Sequence, residues 1–463
     1  MNILNYKLYY FLGVGGIGMS ALARFFNHYE KKVTGYDKTA TTLTAQLQQE
    51  GIACHFEENT ALLEKLLSEY KKEEVLVVYT PAVPKEHAEY QFLLSNNYTI
   101  LKRSQVLGEI TRQFKTIAIA GTHGKTTTTT LVTHLLKSAG INCFSFMGGI
   151  SKNYNTNLVL GDISDPQTYV VVEADEYDRS FLTLHPYIAL ITSVDADHLD
   201  IYGDENHVKE SYTLFSKQVK ENGILVVKKN VDNELKLTAN RLIYSLNLDT
   251  EYCATSITVE NAQFFYDIKS PIEAINHATL GLPGLHNVEN SIAAVAIAQQ
   301  LGIKGDVIKE ALRSFSGVKR RFDYRVKNNK VVYIDDYAHH PEELKATINS
   351  VRKLYPGKKI SGIFQPHLFS RTRDFADEFA NALSLLDECI LLEIYPAREK
   401  PMEGITSQWL LDKVKIADKK LLKKEEVLKE IEQGNREVIV TMGAGDIDSL
   451  VGPIEKILLA KGN

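Results

Sequence analysis

The sequence predicts an α/β protein of three domains built around mostly parallel sheets, and three observations carry that prediction. Helical and strand patterns alternate almost throughout the 463 residues, the signature of layered α/β domains. Two glycine turns, at 13–18 and 121–124, each join an apolar strand to a helix. Five apolar runs end in polar clusters: VVVEADE, IALITSVDADHLD, VVYIDDYAHHP, ISGIFQPHLFSR and VIVTMGAGD. Ligands of open parallel sheets sit beyond the carboxyl ends of the strands, so such endings describe a site for several substrates.

The first domain is expected over 1–112, starting from a strand at 9–12. The second, over 113–317, opens with a strand at 116–120. The third, over 318–463, begins at the basic run Lys319, Arg320, Arg321. Each is long enough for its own core. A composition of 44% hydrophobic and 24% charged residues is that of a globular protein. The formal net charge of -5 excludes the basic footprint of a nucleic-acid binder. Cys54, Cys143, Cys253 and Cys389 lie far apart with no C-x-x-C pair, which fits a reducing compartment. No run is long and apolar enough for a membrane span, and the start MNILNYKLYYFLGVGG lacks the pattern of a signal peptide. A cytoplasmic protein without membrane or nucleic-acid partners is expected.

In the first domain Gly13, Gly15 and Gly18 fit G-x-G-x-x-G, with Val14, Gly16 and Ile17 between them, and Asp37 ends the next strand. Glycine lets backbone approach a diphosphate closely, and the helix N-terminus favours its charge. The pattern specifies a diphosphate more firmly than a nicotinamide, so both a dinucleotide and another nucleoside diphosphate remain open.

The second domain supplies a triphosphate loop: Gly121, Thr122, His123, Gly124, Lys125, Thr126 and Thr127 run from a strand into a helix expected to reach about residue 139. Lys125 is suited to the β- and γ-phosphates, Thr126 to magnesium, and the backbone amides to the cradle. The strict G-x-x-x-x-G-K-[ST] pattern asks for glycine where this chain has Ile119. Glu173 and Asp175 end one later strand, and Asp195, Asp197 and His198 another. Carboxylates suit magnesium, and Glu173 is the favoured ligand; His198, which follows two aspartates at the end of the other strand, is a further site residue. Further on, Asn290 stands one turn inside a helix, where a cap is not needed and an adenine edge can be read. The run of Arg320 and Arg321 offers charge to a transferring phosphoryl group.

The third domain gathers Asp335, Asp336, His339 and His340 on one loop and His367 and Arg371 on another. Arginine suits a carboxylate such as that of an amino acid. No H-E-x-x-H or cysteine set points to zinc.

The ordered segments GVGGIGMSALA, GTHGKTTT, EADEYDRSF, DHLDIYG, GLHNVENSIAA, GVKRRFDYR, DDYAHHPEE, FQPHLFSRTRD and GAGDI resemble the Mur ligases across nearly the whole chain. The resemblance implies a Rossmann-like N-terminal domain for a UDP-sugar, a central P-loop ATPase domain, and a Rossmann-like C-terminal domain that brings an amino acid. It implies ATP-dependent ligation of L-alanine to the lactyl carboxylate of UDP-N-acetylmuramate through an acyl phosphate, in peptidoglycan precursor synthesis. A recycling ligase that adds a tripeptide to the same sugar nucleotide is the near alternative, and a nicotinamide dehydrogenase the distant one. By this resemblance Gly13, Gly15, Gly16, Ile17, Gly18 and Asp37 hold the UDP-sugar. Residues 121–127, His286, Asn290, Arg321 and Asp336 hold ATP. Thr126, Glu173 and His198 hold magnesium, and His367 and Arg371 take the amino acid. Lys125, Glu173, His198, Arg320 and His339 are the catalytic set, with His198 or His339 as the base. A monomer or weak homodimer is expected.

Overall fold

The computed structural model describes residues 3–195, 199–235, 237, 240–246, 249–397 and 399–462. Its strands form three sheets. The first contains β1 (Leu8–Leu12), β2 (Lys32–Tyr36), β3 (Ala53–His55), β4 (Val75–Tyr79) and β5 (Thr99–Lys102), all parallel, in the order β3-β2-β1-β4-β5. β1 explains the arrangement. All five residues of LYYFL are buried, and successive side chains enter opposite cores. Tyr9 and Phe11 join one hydrophobic cluster, while Leu8, Tyr10 and Leu12 join another. A strand apolar on both faces has to be covered on both faces, as parallel sheets are.

The second sheet contains β6 (Lys115–Ala120), β7 (Cys143–Ser151), β8 (Thr156–Val159), β9 (Tyr169–Glu173), β10 (Ile188–Ile191), β11 (Ile224–Lys228), β12 (Arg241–Ser245), β13 (Tyr252–Glu260), β14 (Gln263–Lys269) and β15 (Ile275–Thr279). Their order is β15-β14-β13-β12-β11-β10-β6-β9-β7-β8. β6 lies between β9 and β10, parallel to both, so the turn after β6 opens at the centre of the sheet. The chain departs from strict alternation at β7 to β9 and again at β13 to β15, where strands follow one another without a described helix between them. Asn261 and Ala262 both take positive φ, at 51° and 55°, as the turn of a tight hairpin requires.

The third sheet contains β16 (Asp323–Lys327), β17 (Val332–Asp336), β18 (Ile360–Phe364), β19 (Glu388–Leu391), β20 (Lys419–Leu421) and β21 (Val438–Met442), in the order β16-β17-β21-β18-β19-β20. Only the edge strand β16 runs antiparallel to its neighbour among the described pairings of this sheet.

Contacts divide the chain into two compact units: 1–253 with 268–275 and 290–311, and 254–267 with 276–289 and 312–463. In the first unit the helix Ile17–His28 joins the first two sheets. Phe25 packs on Phe144 and Phe146 of β7 at ring distances of 5.5 and 5.4 Å. Beside it, Asn157 donates to the carbonyl of Ile17 at 2.6 Å and accepts from Arg24 at 2.6 Å.

In the second unit an ion pair ties β19 to the segment before β21. Arg436 meets Glu388 through two bonds of 2.6 Å. Burial opposes the charge of Glu388, yet Arg436, with Ser361 and Lys420, outweighs burial and holds the carboxyl down at about 2. The ordinary carboxylate range lies above that, so the pair stabilises the fold by on the order of 3 kcal/mol. That contribution is fully present above about pH 4.5 and is lost as pH falls toward 2. Urea unfolding should therefore show a gap between wild type and Arg436→Met that is widest at neutral pH and closes on acidification. A gap independent of pH would contradict this origin. No described helix is long and apolar enough to cross a membrane.

Candidate active site

The triphosphate loop in the first unit is shaped by glycine and by the strand next to it. Gly121 has φ 131° and Gly124 has φ 82°, and Gly124 caps the helix Lys125–Ser138. Thr192 and Ser193, just after β10, pin the turn. Thr192 Oγ1 donates to the carbonyl of His123 at 2.5 Å, and Ser193 Oγ accepts the amide of His123 at 2.9 Å. Thr122 donates to the carbonyl of Asp195 at 3.0 Å.

Lys125 is folded onto its own loop. Its Nζ donates to the carbonyls of Gly121 and Thr122 at 2.6 and 3.1 Å and meets the Glu176 carboxylate at 2.8 Å. Burial works against the lysine's charge, but Glu176, Glu173 and Asp175 outweigh burial and hold its pKa above the ordinary range. Burial pushes the Glu176 carboxyl up to about 7, against the pull of Lys125. Glu176 was missed in the sequence, although it closes the VVVEADE run. Side-chain direction past a strand end has no periodicity to read.

Glu173 accepts the amide of Gly148 at 3.0 Å, while Asp175 turns toward Arg103 at 3.3 Å. Asn290 stands against the loop: a Cβ on Gly124 would lie 2.7 Å from its Oδ1. Thr126 and Thr127 are buried at the start of the helix. His198, with Asp197, lies outside the described residues.

The glycine turn after β1 lines a cavity of ≈ 720 Å³. Asp37 holds the turn in shape, accepting the amide of Gly15 at 2.7 Å and that of Thr39 at 3.1 Å. The first-turn amides of the helix Ile17–His28, which have no partner inside a helix, stand at its edge. A second cavity of ≈ 210 Å³ is bounded by Ile17, Gly18, Arg103, Gly148 and Glu173. Gly18 and Arg103 line both cavities. The two cavities therefore adjoin at Gly18 and Arg103, and the smaller one reaches Glu173, whose charge acts on Lys125.

The second unit gathers the remaining groups. Arg320 takes a left-handed conformation, φ 63°, with its guanidinium bonded to Asp335 at 3.2 Å and to the carbonyl of Gly443 at 2.7 Å. Arg320 and Arg321 both lie over the ring of Tyr337, at 5.2 and 4.9 Å. Asp336 accepts the amides of Phe322 and Ala338 at 2.7 and 2.8 Å, and burial pushes its carboxyl up to about 6. His339 lies 3.2 Å from Glu343 and edge-on to His367, ring centres 6.1 Å apart. His367 stacks on Tyr395, and Arg371 is buried in the helix Phe369–Asp374. His286 shares the helix Leu285–Gln300 with Asn290, and burial pushes its imidazole down to about 4. A neutral ring of this kind can read a base edge but cannot supply charge to phosphate.

Three family models match the chain in order: the Mur ligase family catalytic domain at residues 8–115, the Mur ligase middle domain at 119–298, and the Mur ligase glutamate ligase domain at 320–447. The chain is 49% identical over 458 residues to the UDP-N-acetylmuramate–L-alanine ligase of Flavobacterium johnsoniae, covering 99% of both. It is 47% identical over 456 residues to the same-named protein of Cytophaga hutchinsonii, covering 98% of this chain and 97% of that one. Among solved structures, the UDP-N-acetylmuramate–alanine ligase of Thermotoga maritima superposes with a TM-score of 0.81 at 26% identity, covering 98% of this chain and 99% of the other. A murein peptide ligase from Psychrobacter arcticus shares the fold, with a TM-score of 0.68 at 24% identity over 99% of both chains.

Proposed function

The chain belongs to the Mur ligase family, and we propose that within it this protein joins L-alanine to the lactyl carboxylate of UDP-N-acetylmuramate, converting ATP to ADP and phosphate. Identity of 49% over essentially the whole of both chains to a ligase of that name carries the reading. The two cavities that share Gly18 and Arg103 support it, because they adjoin between a glycine turn suited to a diphosphate and Glu173, whose charge acts on Lys125. The place of the reaction is peptidoglycan precursor synthesis in the cytoplasm, with three small-molecule substrates. The domains are proposed as 1–112, 113–317 and 318–463, one for each sheet. The tripeptide-adding alternative rests on a likeness of fold alone, and the dehydrogenase leaves the triphosphate loop unused.

In the proposed sequence a carboxylate oxygen of the sugar attacks the γ-phosphorus of ATP. The bond to the bridging oxygen breaks, leaving ADP and an acyl phosphate. The amine of alanine then attacks the acyl carbon, phosphate leaves with the former carboxylate oxygen, and a base takes the ammonium proton. Little covalent chemistry falls to the protein, so its residues position groups and neutralise charge. Lys125 would exchange Glu176 and the loop carbonyls for the β- and γ-phosphates, with residues 121–127 as the cradle. Asn290 and His286 are proposed as adenine-binding residues, and Arg321 and Asp336 as further ATP-binding residues. Arg320 would offset charge on the transferring group. Gly13, Gly15, Gly16, Ile17, Gly18 and Asp37 would hold the UDP-sugar, and His367 and Arg371 the alanine carboxylate. His339 or His198 would act as the base.

Magnesium fits this donor set. Thr126 and Glu173 are hard oxygen donors, the kind magnesium takes. Magnesium is ordinarily held by one or two protein oxygens together with substrate phosphates. Thr126, Glu173 and His198 would hold the ion, which supplies neutralisation of phosphate charge.

The test is phosphate release from MgATP with UDP-N-acetylmuramate, offering L-alanine or the L-Ala-D-Glu-diamino-acid tripeptide. Release that requires both the sugar nucleotide and alanine is expected. Release with the tripeptide alone would move the protein to the recycling branch, and release with neither would refute the ligase reading.

A further inference from the structure

The ≈ 210 Å³ cavity lies between helices of the first sheet and strands of the second, and a buried residue outside it fixes the distance between its walls. Ile17, Gly18 and Arg103 form one wall, on the helices Ile17–His28 and Arg103–Gln113. Gly148, Glu173 and Asp175 form the other, in β7 and at the end of β9. Gly18 also belongs to the larger cavity at the glycine turn, and the charge of Glu173 acts on Lys125. The width of this gap therefore sets how closely a group held at one site approaches the other.

Phe25 draws the helix Ile17–His28 onto β7, but apolar contact is non-directional and leaves the helix free to slide. Asn157 supplies the register. It stands on the edge strand β8, beside β7, and is 0% exposed. Its amide donates to the carbonyl of Ile17 at 2.6 Å and to Ser20 Oγ at 3.0 Å, and its carbonyl accepts from Arg24 at 2.6 Å. All three partners belong to the one helix. Arg24 is fixed in turn by two bonds of 2.7 Å to Glu50. Hydrogen bonds weaken steeply off their geometry, and a buried amide left unpaired is costly, so the helix has one favoured register against β8. Two ion pairs join the same layers, Arg103 with Asp175 at 3.3 Å and Lys102 with Asp178 at 2.9 Å. Their side chains are partly exposed, and ion pairs in contact with water yield readily.

We propose that Asn157 is a positioning residue of the ligation: by holding the helix Ile17–His28 in register on β8, it sets the approach of the sugar carboxylate to the γ-phosphorus of ATP. It acts without touching either substrate, since it lines neither cavity. The proposal rests on the ligase reading above and adds to it the residue that aligns the two sites. The glycine turn and the triphosphate loop each keep their own shape without Asn157, so its loss leaves both substrates bound but misaligned. A displacement of about 1 Å is enough to cost on the order of 10²-fold in rate.

Asn157→Leu keeps nearly the same volume and removes all three bonds. Calorimetric titration of the full chain measures affinity for UDP-N-acetylmuramate and for a non-hydrolysable ATP analogue with magnesium. Single-turnover formation of ADP, with the sugar nucleotide and L-alanine saturating, measures phosphoryl transfer. Both affinities should stay within about twofold of wild type while ADP formation slows about tenfold or more. A wild-type rate would overturn the proposal. Weakened binding of either ligand would overturn it too, because Asn157 would then serve a binding site or the fold at large. Retained affinity for both ligands also verifies the fold. Should Asn157→Leu fail to fold, Arg24→Met decides, since it removes the group that orients the Asn157 amide. The same split is expected there at about threefold, and an unchanged rate overturns the proposal. If the wild-type chain forms no ADP with these substrates, the ligase reading fails and the proposal with it.

Discussion

Lys125→Ala is expected to lower alanine-dependent phosphate release by on the order of 10³-fold, the scale of losing one preorganised charge partner of a reacting oxyanion. The lysine begins the helix behind the loop, and its amine already lies at the mouth of the cradle, within 3.1 Å of the Thr122 carbonyl. Arg103, a cation on a neighbouring helix, is turned toward Asp175 and does not take its place. The substitution also strips Glu176 of its partner. With burial already pushing that carboxyl up to about 7, it should take up a proton in the variant and not remain a buried charge, so the fold should survive. Steady-state rates, together with circular dichroism, separate the two effects. Activity within about tenfold of wild type would remove Lys125 from the proposed mechanism.

Gly121→Ala should cost about 3 kcal/mol of stability and abolish ATP binding as well. At φ 131° an L side chain is strained, and its Cβ would lie 2.0 Å from Thr192 Oγ1 and 2.8 Å from the backbone nitrogen of Ser193. Thr192 and Ser193 are the residues that pin the loop, so the backbone cannot yield without undoing the cradle. Gly140 provides the control. It also has positive φ, at 72°, but nothing lies within 4 Å of its added Cβ. Gly140→Ala should therefore cost only about 1 kcal/mol, the strain of a left-handed conformation alone. Urea unfolding of both variants measures the difference, and equal losses would show that crowding against Thr192 is unimportant.

Much of this site is legible in the sequence because it depends on backbone. A strand, a glycine turn and a helix fix where phosphate can approach, so the residues around Gly15 and Gly121 stand out without any tertiary information. The strands at 9–12 and 116–120 lie within β1 (Leu8–Leu12) and β6 (Lys115–Ala120), since runs buried on both faces are hard to misplace. Side chains that act across the fold are less legible. Glu176 pairs with a lysine 51 positions away, and nothing in EADE distinguishes it from Asp175, which faces Arg103. That Asp37 also accepts the amide of Gly15 and so shapes the turn is not legible from its spacing. The pairing of Arg320 and Arg321 over Tyr337 is hidden in the same way, because a left-handed turn at Arg320 brings both guanidinium groups to one ring.

The most direct test of ligation through an acyl phosphate is an oxygen-transfer experiment. UDP-N-acetylmuramate labelled with ¹⁸O in the lactyl carboxylate is turned over with MgATP and L-alanine, and the released phosphate is analysed by mass. One labelled oxygen per phosphate is expected, since the carboxylate oxygen that attacks the γ-phosphorus leaves with it. Unlabelled phosphate accompanying amide formation would contradict the acyl phosphate and the proposed roles of Lys125 and Arg320 in forming it.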